Sequence, residues 1–261
     1  MQPTPAHDPA AHSPPPWRGF GQRADLDLDF SAPDRPELVT AVLTACSVQP
    51  VDSRGLWSLT LAERIGALVH IVVRTEGGDS IALTLRCPQC ADALELAVPC
   101  AMLLHEAQRS ESEIEVALDA ARSVRVRRPT GADQRVWRTR AYSNEDEAAA
   151  AVLHSLTAPA GAHSDLDAAD LERISDAMNA FDPLASFQIT TVCPSCGAEA
   201  TLPVDLEAAL LMRLRARQRA LLAQVHRLAA AYGWTEEQVL AIPAHRREQY
   251  LLLVEQEAVQ R

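Results

Sequence analysis

The chain contains no lysine: all 24 of its basic residues are arginine. That absence removes Schiff-base chemistry, Ser–Lys dyads and the phosphate-binding lysine of a P-loop from consideration. Aromatic residues are scarce too, at 4% of 261 positions, so Leu, Ala and Val have to build the core. No run approaches the ~20 consecutive apolar residues of a membrane span, and no membrane partner is expected. The N-terminus lacks a basic segment followed by an apolar one, so it does not read as a secretion signal and a reducing cytoplasm is the expected compartment. Gly-x-Ser-x-Gly, His-Glu-x-x-His and Walker-type stretches are all missing, which leaves no starting point for an enzyme or a small-molecule substrate. A net charge of −11 argues against a general nucleic-acid binder, because neutralising phosphates needs a basic surface.

What is present is a pair of matched tetrads, Cys87-Pro-Gln-Cys90 and Cys193-Pro-Ser-Cys196. Two residues between cysteines let both thiolates of a tight turn face one tetrahedral metal, and two such turns complete the closed shell of a structural Zn²⁺. The other use of these thiols is two disulfides, or none; a reducing compartment favours the metal. Between Cys90 and Cys193 lie 102 residues, so everything between must leave one knuckle and return to it. The surroundings repeat as well. Leu94, Leu96 and Val98 follow the first knuckle and Ala101-Met-Leu-Leu104 comes next; Leu202 and Val204 follow the second, then Ala208-Ala-Leu-Leu211. Each half reads knuckle, short strand, helix start, which places Cys100 opposite Leu206 as a core position. Cys46 and Cys100 are therefore expected to be dispensable for metal, and His70 to be an ordinary helix histidine.

Taken in order, residues 1–35 are Pro-, Ala- and Asp-rich and read as a disordered arm, with Trp17 and Phe20 either anchoring it on a partner or incidental. Residues 36–205 read as the zinc-ribbon core. A helix is predicted from Pro36 to Cys46, and Thr60-Leu-Ala-Glu63 is a capping box for a second, stopped by Gly77-Gly78. Alternation predicts a strand over Ile81–Leu85 running into the first knuckle, a hairpin of Glu113–Ala117 with Val124–Arg128, and a strand over Ser186–Val192 running into the second. Helices are expected over Asn144–Leu156 and Leu166–Phe181, with Ala158–Ser164 as a linker. Arg122, Arg125, Arg127, Arg128, Arg135, Arg138 and Arg140 form the densest basic cluster, readable as an acidic-partner site or as solvated strand and helix faces.

Residues 206–261 change character. They hold eight Arg against six Glu, a net of +2 on an otherwise acidic chain. Asp205 is placed to cap a helix running to Tyr232, with Leu214, Leu221 and Leu228 seven apart, and Thr235-Glu-Glu-Gln238 is a second capping box. Leu221, Val225, Leu228 and Tyr232, with Trp234, Tyr250, Arg246 and Arg247, are the candidate partner-binding residues; an internal helical hairpin would produce the same pattern. The fold class expected is α+β: small antiparallel β segments around a split four-Cys zinc ribbon, several helices and a C-terminal helical docking module.

The order of these motifs, ending in Tyr232-Gly-Trp-Thr-Glu-Glu and Ile242-Pro-Ala-His-Arg-Arg-Glu-Gln-Tyr250-Leu, resembles the baseplate hub and assembly proteins of T-even-like phage tails, in the version carried by phage-derived contractile injection systems. The resemblance spans roughly residues 36–257. It implies a non-enzymatic structural or assembly protein whose partners are other baseplate, hub or tail proteins, located in the cytoplasm or in the assembled particle. Ala91 departs from the pattern, standing where a Gly commonly follows the second Cys; Gly197 keeps it in the second knuckle. The competing class is a zinc-ribbon nucleic-acid or transcription-associated module, against which stand the acidic body and the lack of aromatics interleaved near the knuckles.

Overall fold

The computed structural model describes residues 16–109, 111–158 and 166–259. Helix α1 (Arg35–Cys46) starts where the Asp34 side chain accepts from the Glu37 N–H, with Pro36 in the first turn, where a missing N–H costs nothing. The short α2 (Ser53–Ser58) has no periodic signature in the sequence. It leads to α3 (Leu61–Glu76), which carries both halves of the Thr60/Glu63 capping box and ends at Gly77 with φ 74°. The hairpin of β1 (Ser80–Arg86) and β2 (Ala93–Pro99) follows, with Ile81 opposite Val98 and Leu85 opposite Leu94, and runs directly into α4 (Cys100–Ala107).

The middle of the chain forms a smaller unit. Strands β3 (Glu113–Ala117) and β4 (Ser123–Arg127) pair as predicted, and a two-residue β5 (Thr157–Ala158) adds to β4. α5 (Gly131–Arg138) opens on a Thr130/Asp133 capping box. α6 (Glu145–Leu156) is capped by Asn144 and α7 (Ala168–Phe181) by Asp167. Val116, Val124, Val126, Leu156 and Ile174 make its own core. Of the expected linker, Ala158 belongs to β5, and the rest lies outside the described residues. A second hairpin, β6 (Gln188–Val192) with β7 (Glu199–Pro203), then leads into the 27-residue α8 (Leu206–Tyr232). α9 (Glu236–Ala241) and α10 (Ala244–Val259) complete the chain. The architecture is α+β, with the three small antiparallel sheets separate from one another.

The principal core joins α1, α3 and α4 to the first half of α8, through Val42, Leu43, Leu68, Ile71, Leu103, Leu210 and Leu214. Two close approaches fix it. A Cβ on Gly66 would lie 2.5 Å from the Ala107 methyl, and one on Gly131 would lie 2.6 Å from an Arg64 guanidinium nitrogen. Arg64 itself is fully buried, donating to the Pro36 carbonyl at 2.7 Å, the Leu56 carbonyl at 3.1 Å and the Thr40 hydroxyl. It ties α1, α2 and α3 together, and burial lowers its pKa.

Two boundaries differ from the sequence reading. Residues 16–34 are not part of a disordered arm. Trp17 and Phe20 are buried in the principal core, the Trp17 backbone bridges Ser47, and Arg18 forms an ion pair with the fully buried Asp25. The Gln218 side-chain amide donates to the carbonyls of Leu26 at 3.0 Å and Leu28 at 2.8 Å. In a chain so poor in aromatics, two large rings are worth burying, since each removes ~150–250 Å² from water. Residues 1–15 lie outside the described residues. Nor does a module begin at residue 206: Leu206, Leu210, Leu211, Leu214 and Leu221 are principal-core residues, and only the second half of α8 belongs to the C-terminal cluster.

Candidate metal centre

The two hairpins present their turns to one another. In the first, the Cys87 N–H donates to the Asp92 carbonyl at 2.9 Å and the Ala91 N–H to the Cys87 carbonyl at 2.9 Å. In the second, the Cys193 N–H donates to the Ala198 carbonyl at 2.8 Å and the Gly197 N–H to the Cys193 carbonyl at 2.9 Å. The repeat read from sequence is thus a repeat of hydrogen bonds. It extends to the helix starts, where Cys100 and Leu206 are both buried at the first residue of α4 and α8. Gly197 has φ 73°, and Ala91 holds the same left-handed conformation at φ 60°. Among the described non-glycine residues Ala91 alone does so, so the departure in the motif is paid in backbone strain, about 1–2 kcal/mol.

The sulfurs of Cys87, Cys90, Cys193 and Cys196 all lie within 4.8 Å of one another. Cys87 Sγ is 3.7 Å from Cys196 Sγ, and Cys90 Sγ is 3.7 Å from Cys193 Sγ. Four sulfurs ~2.3 Å from a common centre would sit on a tetrahedron with an edge of about 3.8 Å, so the set fits one four-coordinate ion. The same separation is far beyond a ~2.05 Å disulfide, and all six cysteines are free. Cys87 and Cys193 are buried with Leu94 between the hairpins, while Cys90 and Cys196 face outward.

Backbone dipoles complete the donor set. The backbone N–H groups of Cys196 and Ser195 lower the pKa of Cys193, and those of Asp92 and Ala198 act in the same direction on Cys90 and Cys196. Such donors favour thiolate over thiol and orient the ligands. The Cys196 N–H leads the groups that draw Cys193 down to about 7. Cys90 also feels the Asp92 N–H, yet desolvation and the neighbouring thiols push it up to about 12. A bound cation would favour the thiolate form of the cluster. The four cysteines could hold a metal ion, and among the described residues no His, Asp or Glu joins the group.

The other sulfurs and the candidate histidine are elsewhere. Cys46 and Cys100 are buried in the principal core, and burial pushes Cys46 up to about 12. His70 is half-buried on α3, its pKa lowered by desolvation.

Of the residues expected to bind a partner, Leu221, Leu228 and Arg247 are buried in the chain itself, which corrects the expectation for those three, while Tyr232 and Arg246 remain exposed. Leu221 is fully buried in the principal core and Leu228 in a C-terminal cluster with Val239 and Leu251, against which Val225, Trp234 and Tyr250 lie. Trp234 stacks on Tyr232 at 4.6 Å between ring centroids and meets Tyr250 edge-on at 5.1 Å. Arg247 is buried and donates to the Leu240 carbonyl; of the two rim arginines only Arg246 is exposed. An amphipathic helix followed by a tight turn and a second amphipathic helix buries its stripe most cheaply on its own neighbour, and that is the outcome here.

Most of the basic cluster is likewise committed internally, Arg135 and Arg140 excepted. Arg122 meets Asp119 and Asp170, Arg125 meets Glu113, Arg127 meets Asp133, and Arg138 meets Asp34, while Arg128 is buried over the Phe181 ring. Arg135 makes no ion pair among the described residues. It lies instead over Trp57, 5.3 Å from the ring centroid, an association with α2 that sequence spacing could not reveal.

No helix among the described residues is long and apolar enough to cross a membrane. No protein-family model, curated protein or solved structure matches the chain.

Proposed function

We propose that this chain is a non-enzymatic structural or assembly protein of the baseplate or hub of a contractile, phage tail-like injection system, with Zn²⁺ in the four-Cys clasp. The observation that carries the reading is the split clasp itself: two hairpins more than 100 residues apart close one thiolate shell. Four thiolates suit zinc, and a closed shell leaves no position for substrate or attacking water, so the ion serves the fold. The motif order supports the particular class, since it resembles baseplate hub and assembly proteins from the first capped helix to the Gly-Trp and Arg-Arg-x-x-Tyr-Leu ending. Its partners in this reading are other baseplate, hub or tail proteins, and its place is the cytoplasm or the assembled particle.

The test is deletion of the gene in a cell that produces contractile tail-like particles, followed by electron microscopy of purified particles. Loss of complete particles, restored by the wild-type gene but not by a Cys87→Ser/Cys193→Ser version, is the expected result. Particles of normal length and number with intact baseplates would refute the proposal.

A further inference from the structure

A groove of about 590 Å³ lies between α2 and α5, lined by Ser53, Arg54, Trp57, Arg135, Val136 and Thr139 among others. Its arginines differ from those of the neighbouring groove at Arg35 and Arg138, where both cations are held by carboxylates. The lining includes two arginines and no carboxylate, on a protein with 35 acidic residues and a net charge of −11. Neither Arg54 nor Arg135 forms an ion pair among the described residues, and the nearby acids are committed elsewhere. The Asp133 carboxylate is held by Arg127 at 2.7 and 2.8 Å, and the Asp52 carboxylate accepts from the Arg54 N–H as the cap of α2. The lining also carries apolar surface from Trp57, over whose ring Arg135 lies, and from Ala132 and Val136. Trp57 is held in place by the buried Arg64, 5.3 Å from the ring centroid, and Val136 is 48% exposed.

We infer that this groove docks an acidic segment of a partner protein, with carboxylates on Arg54 and Arg135 and an adjacent apolar side chain against Trp57 and Val136. Guanidinium groups bind carboxylates bidentately, and Trp and Arg are both among the residue types enriched at binding hot spots. Two unpaired cations beside an indole suit a short acidic-apolar motif. A nucleic acid or an anionic membrane would meet the strongly acidic remainder of the surface. The chain's own first 15 residues are a poor match, because they hold one acid, Asp8, and no large apolar side chain except Met1. The inference adds a partner chemistry to the assembly role, and its failure would leave that role to other surfaces.

The test is selection of a random twelve-residue peptide library on phage against the full-length, zinc-loaded chain, with the selected peptides then titrated by fluorescence anisotropy. Enrichment of Glu or Asp beside Leu, Phe or Trp is expected. The affinity should fall ~30-fold or more in the Arg54→Glu/Arg135→Glu variant and weaken with added salt. Both side chains are exposed, so zinc content and circular dichroism of that variant should not change. No enrichment, enrichment of basic or proline-rich peptides, or full affinity in the double variant would overturn the inference. So would binding of a synthetic peptide of residues 1–15 that the double variant loses, or a dimer in sedimentation that the double variant abolishes. Those last results would assign the groove to the chain's own N-terminus or to a second copy.

Discussion

Removing the metal should open the clasp at the two hairpin tips and leave the principal core standing. A metal in the clasp would join positions separated by 109 and 103 residues, Cys87 with Cys196 and Cys90 with Cys193. In the chain-entropy picture, closing a loop of ~100 residues constrains the unfolded chain by about 4.7 kcal/mol. For a domain of this size that corresponds to a fall in Tm of roughly 10–20 °C on chelation. The loss should be local first, because only Leu94, Leu85 and Leu202 pack with the buried cysteines between the hairpins. The bases of both hairpins, by contrast, are tied to the principal core through Ile81, Val98, Phe187 and Val204. The assay is hydrogen exchange by mass spectrometry with and without a chelator, alongside metal analysis. One zinc per chain is expected, with amides of Cys87, Ala91, Cys193 and Gly197 losing protection while α3 and the first half of α8 keep theirs. Cobalt in place of zinc should give the visible bands of a tetrahedral tetrathiolate. Two ions per chain, unchanged metal content in Cys193→Ser, or protection lost uniformly would refute the reasoning.

The two knuckles allow a reciprocal test of strain. Ala91→Gly relieves a left-handed alanine worth ~1–2 kcal/mol, less the ~0.4–1 kcal/mol by which glycine loosens the unfolded chain, so a net gain of about 0.5–1 kcal/mol is expected. Gly197→Ala, in the same conformation and with open space around the added methyl, should lose a similar amount; denaturant midpoints of the zinc-loaded proteins that moved in the same direction would contradict this. Asp182 supplies a pH signature: it is 1% exposed, both carboxylate oxygens lack a hydrogen-bond donor, and burial raises its pKa above 3.8 despite the nearby Arg128. A carboxyl raised on folding stabilises the fold fully below its unfolded pKa and loses that contribution as pH rises through the folded value. Asp182→Asn should therefore be more stable than wild type at pH 7, with the advantage vanishing below about pH 3.8, and urea midpoints with a pH-independent difference would rule it out.

Much of the local structure was legible in the residues because its causes are local. The Thr60 and Thr235 capping boxes, the glycine stops at Gly77 and Gly233, and the alternation of β1 and β4 each depend on a few neighbouring positions. The four clustered cysteines were legible for a different reason. Cys-x-x-Cys geometry is built into each turn, and the repeated order of knuckle, strand and helix told which turns belong together. Tertiary structure alone decided which apolar and charged groups find each other at long range. Trp17 and Phe20 look like isolated aromatics in a proline-rich arm until α1 and α3 supply a surface for them. The heptad leucines of α8 could serve a partner or the chain itself; only the fold divides them between the principal core and a hairpin with α10. Arginine is the sharpest case, because a guanidinium group satisfies its hydrogen bonds equally well with water, a carbonyl, a carboxylate or a ring. In sequence Arg64 and Arg135 are alike as helix residues, yet one is buried beneath Gly131 and the other is left unpaired over Trp57.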